Sequence, residues 1–540
     1  MIARKSFLIV FSYFITRFIG WIGLIVLAKL WTDFAPEALG VIGFAMSFLA
    51  LFNIIGDLGF SQAHIKRVSE GKDLGTCIGT FATIKFFLSG IFIGIVLISI
   101  FIWKSYLNGK FSDSTTESVV YVFIIYYLFL NLRSISDATF SGRREIAKQQ
   151  ISHFFEVVKI PFMIIVALAG VGIIGVEIAP SIKWPSFLQP IQLFIYKHSL
   201  GSLATTYVIA IIASFAVGIW FLSKYPIKKP NWKLFKSYFD FALPTILFSV
   251  VGVISVNIDK LMIGFFWTST EVGYYFTVQQ IINILMILYI AVSTVLFPTI
   301  SDYHSKNQIN KINETTNLAE RYISMVMIPP LLIIIVFVNP LIKIMLSNAF
   351  LPAASVLIIL SVYTFILSIN RTYGALIGGI NKPRITVKIY FFSSCLNIIL
   401  NYLFIPKNGL LSRFGINGPE GAAIATLISI IVVFIGLRIA AKKLTGIKVL
   451  QSHTPRHIIA GFLSGIVLYY IAYVIKLFPI IQWYHLLFFS GLGLVFYLAI
   501  LYLLKEFKKQ DLYFFIEILR PIEMFKYISS ELSEKPKKPK

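Results

Sequence analysis

Six basic side chains, Arg17, Lys85, Arg133, Lys159, Lys260 and Arg371, fall inside apolar runs long enough to cross a bilayer. A charge there costs about 2.5–3.5 kcal/mol on insertion scales, so its presence points to an ion pair, a polar cavity or an anionic ligand. Lys and Arg supply positive charge and hydrogen-bond donors, and the planar guanidinium fork suits the oxygens of a phosphate. Arg17 stands about eleven residues into the first run with no acid one turn away, which makes it the leading candidate for an anion contact. With it, Lys85, Arg133, Lys159 and Arg371 form a candidate phosphate-binding set.

Each companion of Arg17 has a second reading. Arg133 and Asp137 are four residues apart and Glu156 and Lys159 three, so each pair shares a helix face and can neutralise itself. Lys85 and Arg371 lie near cytoplasmic ends of their runs, where long stems can snorkel to the head groups or line a cavity. Lys260, beside Asp259 near an outer end, reads as a local ion pair or a helix-end anchor. Asp57, Asp240, Asp259, Asn397 and Asn401, with Lys260, form a second set of cavity or coupling-ion candidates, because hard oxygen ligands suit Na+ and carboxylates can carry H+. Asn397 and Asn401, one helical turn apart, equally suit hydrogen bonds between helices.

Catalytic chemistry finds no footing. Gly170-Val-Gly-Ile-Ile-Gly175 fits the dinucleotide spacing, but it closes an apolar run with no strand before it and no acid about twenty residues on. Neither a Gly-Lys-Ser/Thr phosphate loop nor a His-Glu-x-x-His motif is present, and Cys77 and Cys395 supply neither a disulfide framework nor a metal site. The chain is expected to be no enzyme, with no catalytic residue, resident cofactor or metal.

The elements that must position these groups are membrane helices. With 57% hydrophobic and 13% charged residues, the chain divides into about fourteen spanning runs. They are drawn at about 6–30, 39–62, 80–102, 119–140, 151–171, 203–222, 240–264, 274–298, 322–338, 353–374, 388–405, 420–438, 457–477 and 485–504. With both termini placed in the cytoplasm, the inside segments hold 33 of the 48 Lys and Arg, the outside loops 9 and the spans the six named. That bias is the signature of cytoplasmic loops and fixes an even number of spans. It also accounts for the net charge of +24 without a nucleic-acid partner, since basic loops face anionic lipid. The first run is read as a retained helix, the sequon at Asn313 as an unused site in a cytoplasmic loop, and 172–202 as an outer interfacial segment around Trp184-Pro185.

An internal echo suggests duplication. Lys29-Leu-Trp-Thr-Asp-Phe-Ala-Pro-Glu-Ala-Leu-Gly40 leads from the first span into the second, and Lys260-Leu-Met-Ile-Gly-Phe-Phe-Trp-Thr-Ser-Thr-Glu-Val-Gly273 from the seventh into the eighth. Both carry Lys-Leu, then Trp-Thr, an acid and Gly. Ser141-Gly142 with Arg143 and Arg144 is matched by Gly378-Gly379 with Lys382 and Arg384. The expected fold is all-α and polytopic: two pseudo-symmetric six-helix lobes, 1–223 and 224–444, then an extra helix pair and basic tail, 445–540. Parallel repeats of this kind place a substrate near the bilayer midplane between lobes that rock.

At these residues the chain resembles the Wzx-like polysaccharide flippases of the multidrug/oligosaccharidyl-lipid/polysaccharide exporter superfamily. The similarity runs over nearly the whole length and rests on Leu39-Gly-Val-Ile-Gly-Phe-Ala-Met46, Asp57-Leu-Gly-Phe-Ser-Gln-Ala63, Asn257-Ile-Asp-Lys-Leu-Met-Ile-Gly264, Glu271-Val-Gly-Tyr-Tyr275 and Leu296-Phe-Pro-Thr-Ile-Ser301. Leu396-Asn-Ile-Ile-Leu-Asn401 and Gly421-Ala-Ala-Ile-Ala-Thr426 complete it. The resemblance implies a transporter of the plasma membrane that turns an isoprenoid-linked oligosaccharide from the inner to the outer leaflet by alternating access, with membrane lipids around it and glycosyltransferases or a polymerase as partners. An ion-coupled multidrug antiporter of the same superfamily is the alternative; its usual cargo is cationic, which buried Lys and Arg would repel.

Overall fold

The computed structural model describes residues 2–106, 114–173, 175–448, 451, 453–508 and 511. Nearly all of them are helical, as runs rich in Leu, Ile, Phe and Val dictate: in hydrocarbon every backbone N–H and C=O must be satisfied within the segment. The chain begins with α1 (Ile2–Leu30). The second run is broken into α2 (Ala35–Phe52), α3 (Ile54–Asp57) and α4 (Phe60–Ser69). Then come α5 (Leu74–Ser105) and α6 (Ser114–Arg143). The fifth run is split by a 3-10 turn, Phe155–Val158, into α7 (Ile146–Phe154) and α8 (Lys159–Ala169).

A hairpin follows, β1 (Val171–Ile173) antiparallel to β2 (Val176–Ile178) with Val171 opposite Ile178, then a short helix α9 (Gln189–Lys197). Ile191, Leu193 and Phe194 of α9 are exposed. The hairpin was not expected. Gly175 takes its turn at φ 85°, and Gly172 is close enough to the Tyr196 ring that a Cβ would lie 2.1 Å from it.

The chain continues through α10 (Ser199–Leu222), α11 (Trp232–Phe266) and α12 (Ser269–Ser305). After them run α13 (Ile309–Met345), α14 (Ala354–Gly379), α15 (Pro383–Phe404), α16 (Gly418–Thr445), α17 (His453–Tyr469) and α18 (Trp483–Leu503). Twelve described stretches are long and apolar enough to cross a membrane. The two remaining expected spans fall on α11 and α12, of 35 and 37 residues, each about 50 Å long at 1.5 Å per residue.

The described residues fall into two compact units, one built on Phe11–Gly273 and the other on the chain from Tyr274. In the first, α10 lies along α6 with α5 beside it, around a core of Phe60, Phe81, Phe140 and Tyr238. In the second, α16 lies along α14 with α13 beside it, around Ile369, Tyr373, Leu376 and Leu437. The sixth span packs on the fourth as the twelfth packs on the tenth, which is the internal arrangement a duplication would produce. Helix α13 is interrupted at Phe337 (φ −116°, ψ 26°). The cause is Pro340, which has no N–H for the carbonyl of Val336. The Tyr473 hydroxyl donates to that carbonyl instead, at 3.2 Å.

Candidate functional site

In the first unit, two acids sit where a membrane helix is broken, and each faces a cation from an unbroken one. The turn after α3 uses Leu58 (φ 45°) and Gly59 (φ 80°), both left-handed. Gly59 adopts this freely, while Leu58 bears a strain of about 1–3 kcal/mol. The break leaves Asp57 at the end of α3, where its carboxylate accepts from Lys85 Nζ of α5 and from the Ser61 hydroxyl. Lys85 is 1% exposed and also donates to the Gly56 carbonyl at 3.0 Å. From α6, Asn131 donates to Asn53 at 2.7 Å and presses on Gly56, so the break is braced from two sides.

One helix further, Arg133 of α6 is held by Asp137 at 3.2 Å, by Glu156 from the 3-10 turn, and by the Ser214 hydroxyl of α10 at 3.1 Å. His153 reaches Asp137 at 2.9 Å. The turn that carries Glu156 swings Lys159 toward α10, with its Nζ 4.9 Å from the Tyr207 ring centroid. Arg17 of α1 is exposed and lies within electrostatic reach of both Lys159 and Tyr126. Among the described residues neither Arg17 nor Lys159 is in an ion pair within 4.0 Å. The cluster therefore carries Arg17, Arg133 and Lys159 against Asp137 and Glu156, an excess of one positive charge if His153 is neutral, and the excess lies at Arg17 and Lys159.

The other candidates are placed as follows. Lys260 and Asp259 are buried on α11, with Lys260 Nζ donating to the Val256 carbonyl at 3.2 Å. Asp240 is exposed in the first third of α11. In the second unit Arg371 is exposed on α14. On α15, Asn401 donates to Asn397 at 3.2 Å and Asn397 to Thr426 of α16 at 3.1 Å, so these amides do link helices. Among the described residues no three His, Cys, Asp or Glu side chains stand together as a metal site.

One buried group was not anticipated from the sequence. Glu320 on α13 and Arg438 on α16, 0% and 1% exposed, form an ion pair. The Tyr373 hydroxyl of α14 donates to the same carboxylate at 2.6 Å and the Thr454 hydroxyl of α17 at 2.9 Å. The guanidinium also lies over the Phe434 ring, 4.3 Å from its centroid. Hydropathy had ended the ninth run short of Glu320 and the twelfth at Arg438, because a charged residue closes an apolar window. The amphipathic continuation of both runs was the available signal. Asn313 is likewise on α13 and not in a loop; its amide donates to the Thr445 carbonyl at 2.9 Å, at the end of α16.

Outside the spans, Asp73 caps the start of α5 through Thr76 and accepts from Lys228 at 2.8 Å. The hydrogen bond from Lys228, with those from Thr76, holds its carboxyl down at about 2.

The architecture is similar to that of two solved membrane transporters. The chain superposes on an inward-closed structure of the lipid II flippase MurJ with a TM-score of 0.69, at 19% identity, over 91% of this chain and 97% of that one. An inward-facing multidrug resistance MATE transporter of the MOP superfamily matches with a TM-score of 0.59, at 13% identity, over 79% and 96%. The chain shares the fold of these two transporters. A family model described as polysaccharide biosynthesis protein matches residues 184–355. The probable low-salt glycan biosynthesis flippase Agl15 of Haloferax volcanii is 24% identical over 74% of this chain and 75% of its own length. The probable flippase AglR of the same organism is 27% identical over 32% and 35%. The chain is thus similar in sequence to probable glycan-biosynthesis flippases and in fold to MurJ.

Proposed function

We propose that this chain turns an isoprenoid phosphate- or diphosphate-linked oligosaccharide from the inner to the outer leaflet of the plasma membrane by alternating access, for surface polysaccharide or glycoprotein synthesis. The observation that carries this reading is the excess of positive charge at Arg17 and Lys159 in a cluster whose other cation, Arg133, already has acid partners. A phosphate crossing about 30 Å of hydrocarbon needs such charge along its way. Arg17 and Lys159 make the first contact, with Arg133, Lys85 and Arg371 as further phosphate ligands. The lipid tail stays in the bilayer, both termini face the cytoplasm, and glycosyltransferases or a polymerase deliver and consume the cargo. No catalytic step is assigned to the chain. Coupling to Na+ or H+ is proposed for Asp57, Asp240, Asp259, Lys260, Asn397 and Asn401, of which Asn397 and Asn401 already share a chain of hydrogen bonds with Thr426.

The test is native mass spectrometry of the purified protein with a polyprenyl-diphosphate oligosaccharide and its monophosphate counterpart, beside Arg17→Ala, with a cationic dye as competitor. Glycolipid binding that weakens at least tenfold in Arg17→Ala and ignores the dye supports the reading. Dye binding without glycolipid binding would replace it with the multidrug antiporter.

A further inference from the structure

The charge of the cluster in the first unit depends on one side chain, His153. Asp137 Oδ2 lies 3.2 Å from Arg133 Nε and 2.9 Å from His153 Nε2. An ionised carboxylate only accepts, so His153 Nε2 is the donor, and Nδ1 is the atom left to take a proton. The side chain is 23% exposed, so water can deliver that proton. His64 is the contrast: it is 0% exposed, with one ring nitrogen on Tyr238 at 2.7 Å and the other on Thr139 at 2.9 Å. His153 stands at the end of α7, directly before the 3-10 turn that carries Glu156. Glu156 is within electrostatic reach of His153 and Lys159 as well as Arg133, so the ring shares one charge balance with the cations. The groups around it come from every neighbouring element. Helix α6 brings Asp137 and Arg133, and the turn brings Glu156. Helix α10, also packed on α7, has Tyr207 as its one titratable side chain, and α7 itself adds Lys148, which Glu145 holds at 3.0 Å.

With His153 neutral, Arg17, Arg133 and Lys159 exceed Asp137 and Glu156 by one positive charge; with Nδ1 protonated, by two. A sugar joined to a lipid through one phosphate is a diester with one negative charge, and through a diphosphate it carries two. Neither linkage titrates near neutral pH. A charge left uncompensated within the hydrocarbon is costly, which favours a loaded cluster whose charges cancel. We infer that His153 is a proton-binding site, filled together with a diphosphate-linked cargo and empty with a monophosphate-linked one, so that the cluster takes on the charge its head group requires. This rests on the phosphoglycolipid cargo of the proposed function. His153 acts on the cluster's charge and on the Asp137 that it shares with Arg133.

The test is isothermal titration calorimetry of the purified chain between pH 6 and pH 8, in buffers of differing ionisation enthalpy so that bound protons are counted. The probes are the polyprenyl-diphosphate and polyprenyl-monophosphate forms of one uncharged oligosaccharide. Uptake of one proton changes an affinity by at most about tenfold per pH unit. Diphosphate affinity is expected to rise about fivefold or more from pH 8 to pH 6 with measurable proton uptake, and monophosphate affinity to change by less than about twofold. His153→Gln keeps a neutral donor toward Asp137 but takes no proton, so it should bind the diphosphate without that rise. His153→Arg, charged throughout, should bind the diphosphate at pH 8 as tightly as the wild type does at pH 6. Diphosphate binding by the wild type without proton uptake would overturn the inference and leave the cargo standing. So would an undiminished rise in folded His153→Gln, or, if that variant does not fold, a diphosphate affinity that still falls toward pH 8 in His153→Arg. Binding of neither lipid at any pH would overturn the inference and the cargo together.

Discussion

Removing Glu320 should leave one of the least tolerable groups in the molecule, a buried guanidinium without its carboxylate. Arg438 is 1% exposed and Glu320 0%, and the carboxylate also takes the hydroxyls of Tyr373 and Thr454. Breaking a buried pair by deleting one partner costs about 3–5 kcal/mol, because the survivor is neither hydrated nor neutralised. The two hydroxyls lose their acceptor as well, at about 1–3 kcal/mol for each buried group left unsatisfied. Glu320→Ala is therefore expected to lose at least about 5 kcal/mol, a large part of the 5–15 kcal/mol that holds a typical fold. Replacing both partners, Glu320→Met with Arg438→Met, removes the stranded charge and should recover most of that loss, since apolar replacements of similar volume are often neutral. The assay is reversible unfolding in mixed micelles on the two single variants and the double variant, read as a double-mutant cycle. A single-variant loss under about 1 kcal/mol, or a double variant as unstable as the sum of the singles, would refute the argument that the pair is dry and mutually dependent.

Two further outcomes follow from the first unit. Asp57→Asn should destabilise the protein more than Lys85→Met, because the first strands a buried ammonium while the second leaves a carboxylate that is one-third exposed and can reach water; equal losses in the same micelle titration would mean that water also reaches Lys85. Asp73→Asn should speed tryptic cleavage after Lys228 severalfold. The folded carboxyl titrates at about 2, below its ordinary 3.8, so its contribution is fully present above 3.8 and is lost only as pH falls through about 2. Cleavage of the wild type, corrected for the protease's own profile, should be flat from pH 6 to 9, and a slope there would refute the assignment.

Apolar length was enough to read the fold as a helical chain of many membrane spans, twelve described stretches being long and apolar enough to cross, because span length follows from the bilayer as solvent. The interruptions were not legible. Leu58 and Gly59 continue an apolar run in composition, and only the left-handed turn shows that the run is broken there. The 3-10 turn at Phe155–Val158 is equally apolar apart from Glu156. Those two breaks decide where Asp57 and Glu156 point, so the pairing of Lys85 and Arg133 could not be taken from spacing along one helix. Asp137, four residues from Arg133, was visible as a partner, while Glu156 reaches it from a different span. Glu320 and Arg438 were hidden for the opposite reason: a charge trims the hydropathy window that would otherwise have counted it inside.

The last two spans, α17 and α18, read as an appendix to a duplicated core, yet they complete hydrogen bonding begun elsewhere in the second unit. Tyr473 serves the Val336 carbonyl released by Pro340, Thr454 serves Glu320, and the His457 ring meets the Ser324 hydroxyl at 2.7 Å. Glu506 and Asp511, beyond α18, bind Arg321, with Asp511 at 2.7 Å. A chain cut back before α17 would lose apolar cover from Ala460, Leu468, Phe489 and Leu501 and would also hold an orphan carbonyl, an unfilled acceptor and an unmatched cation. The pair is therefore not a removable module: it carries polar partners that the helices before it need.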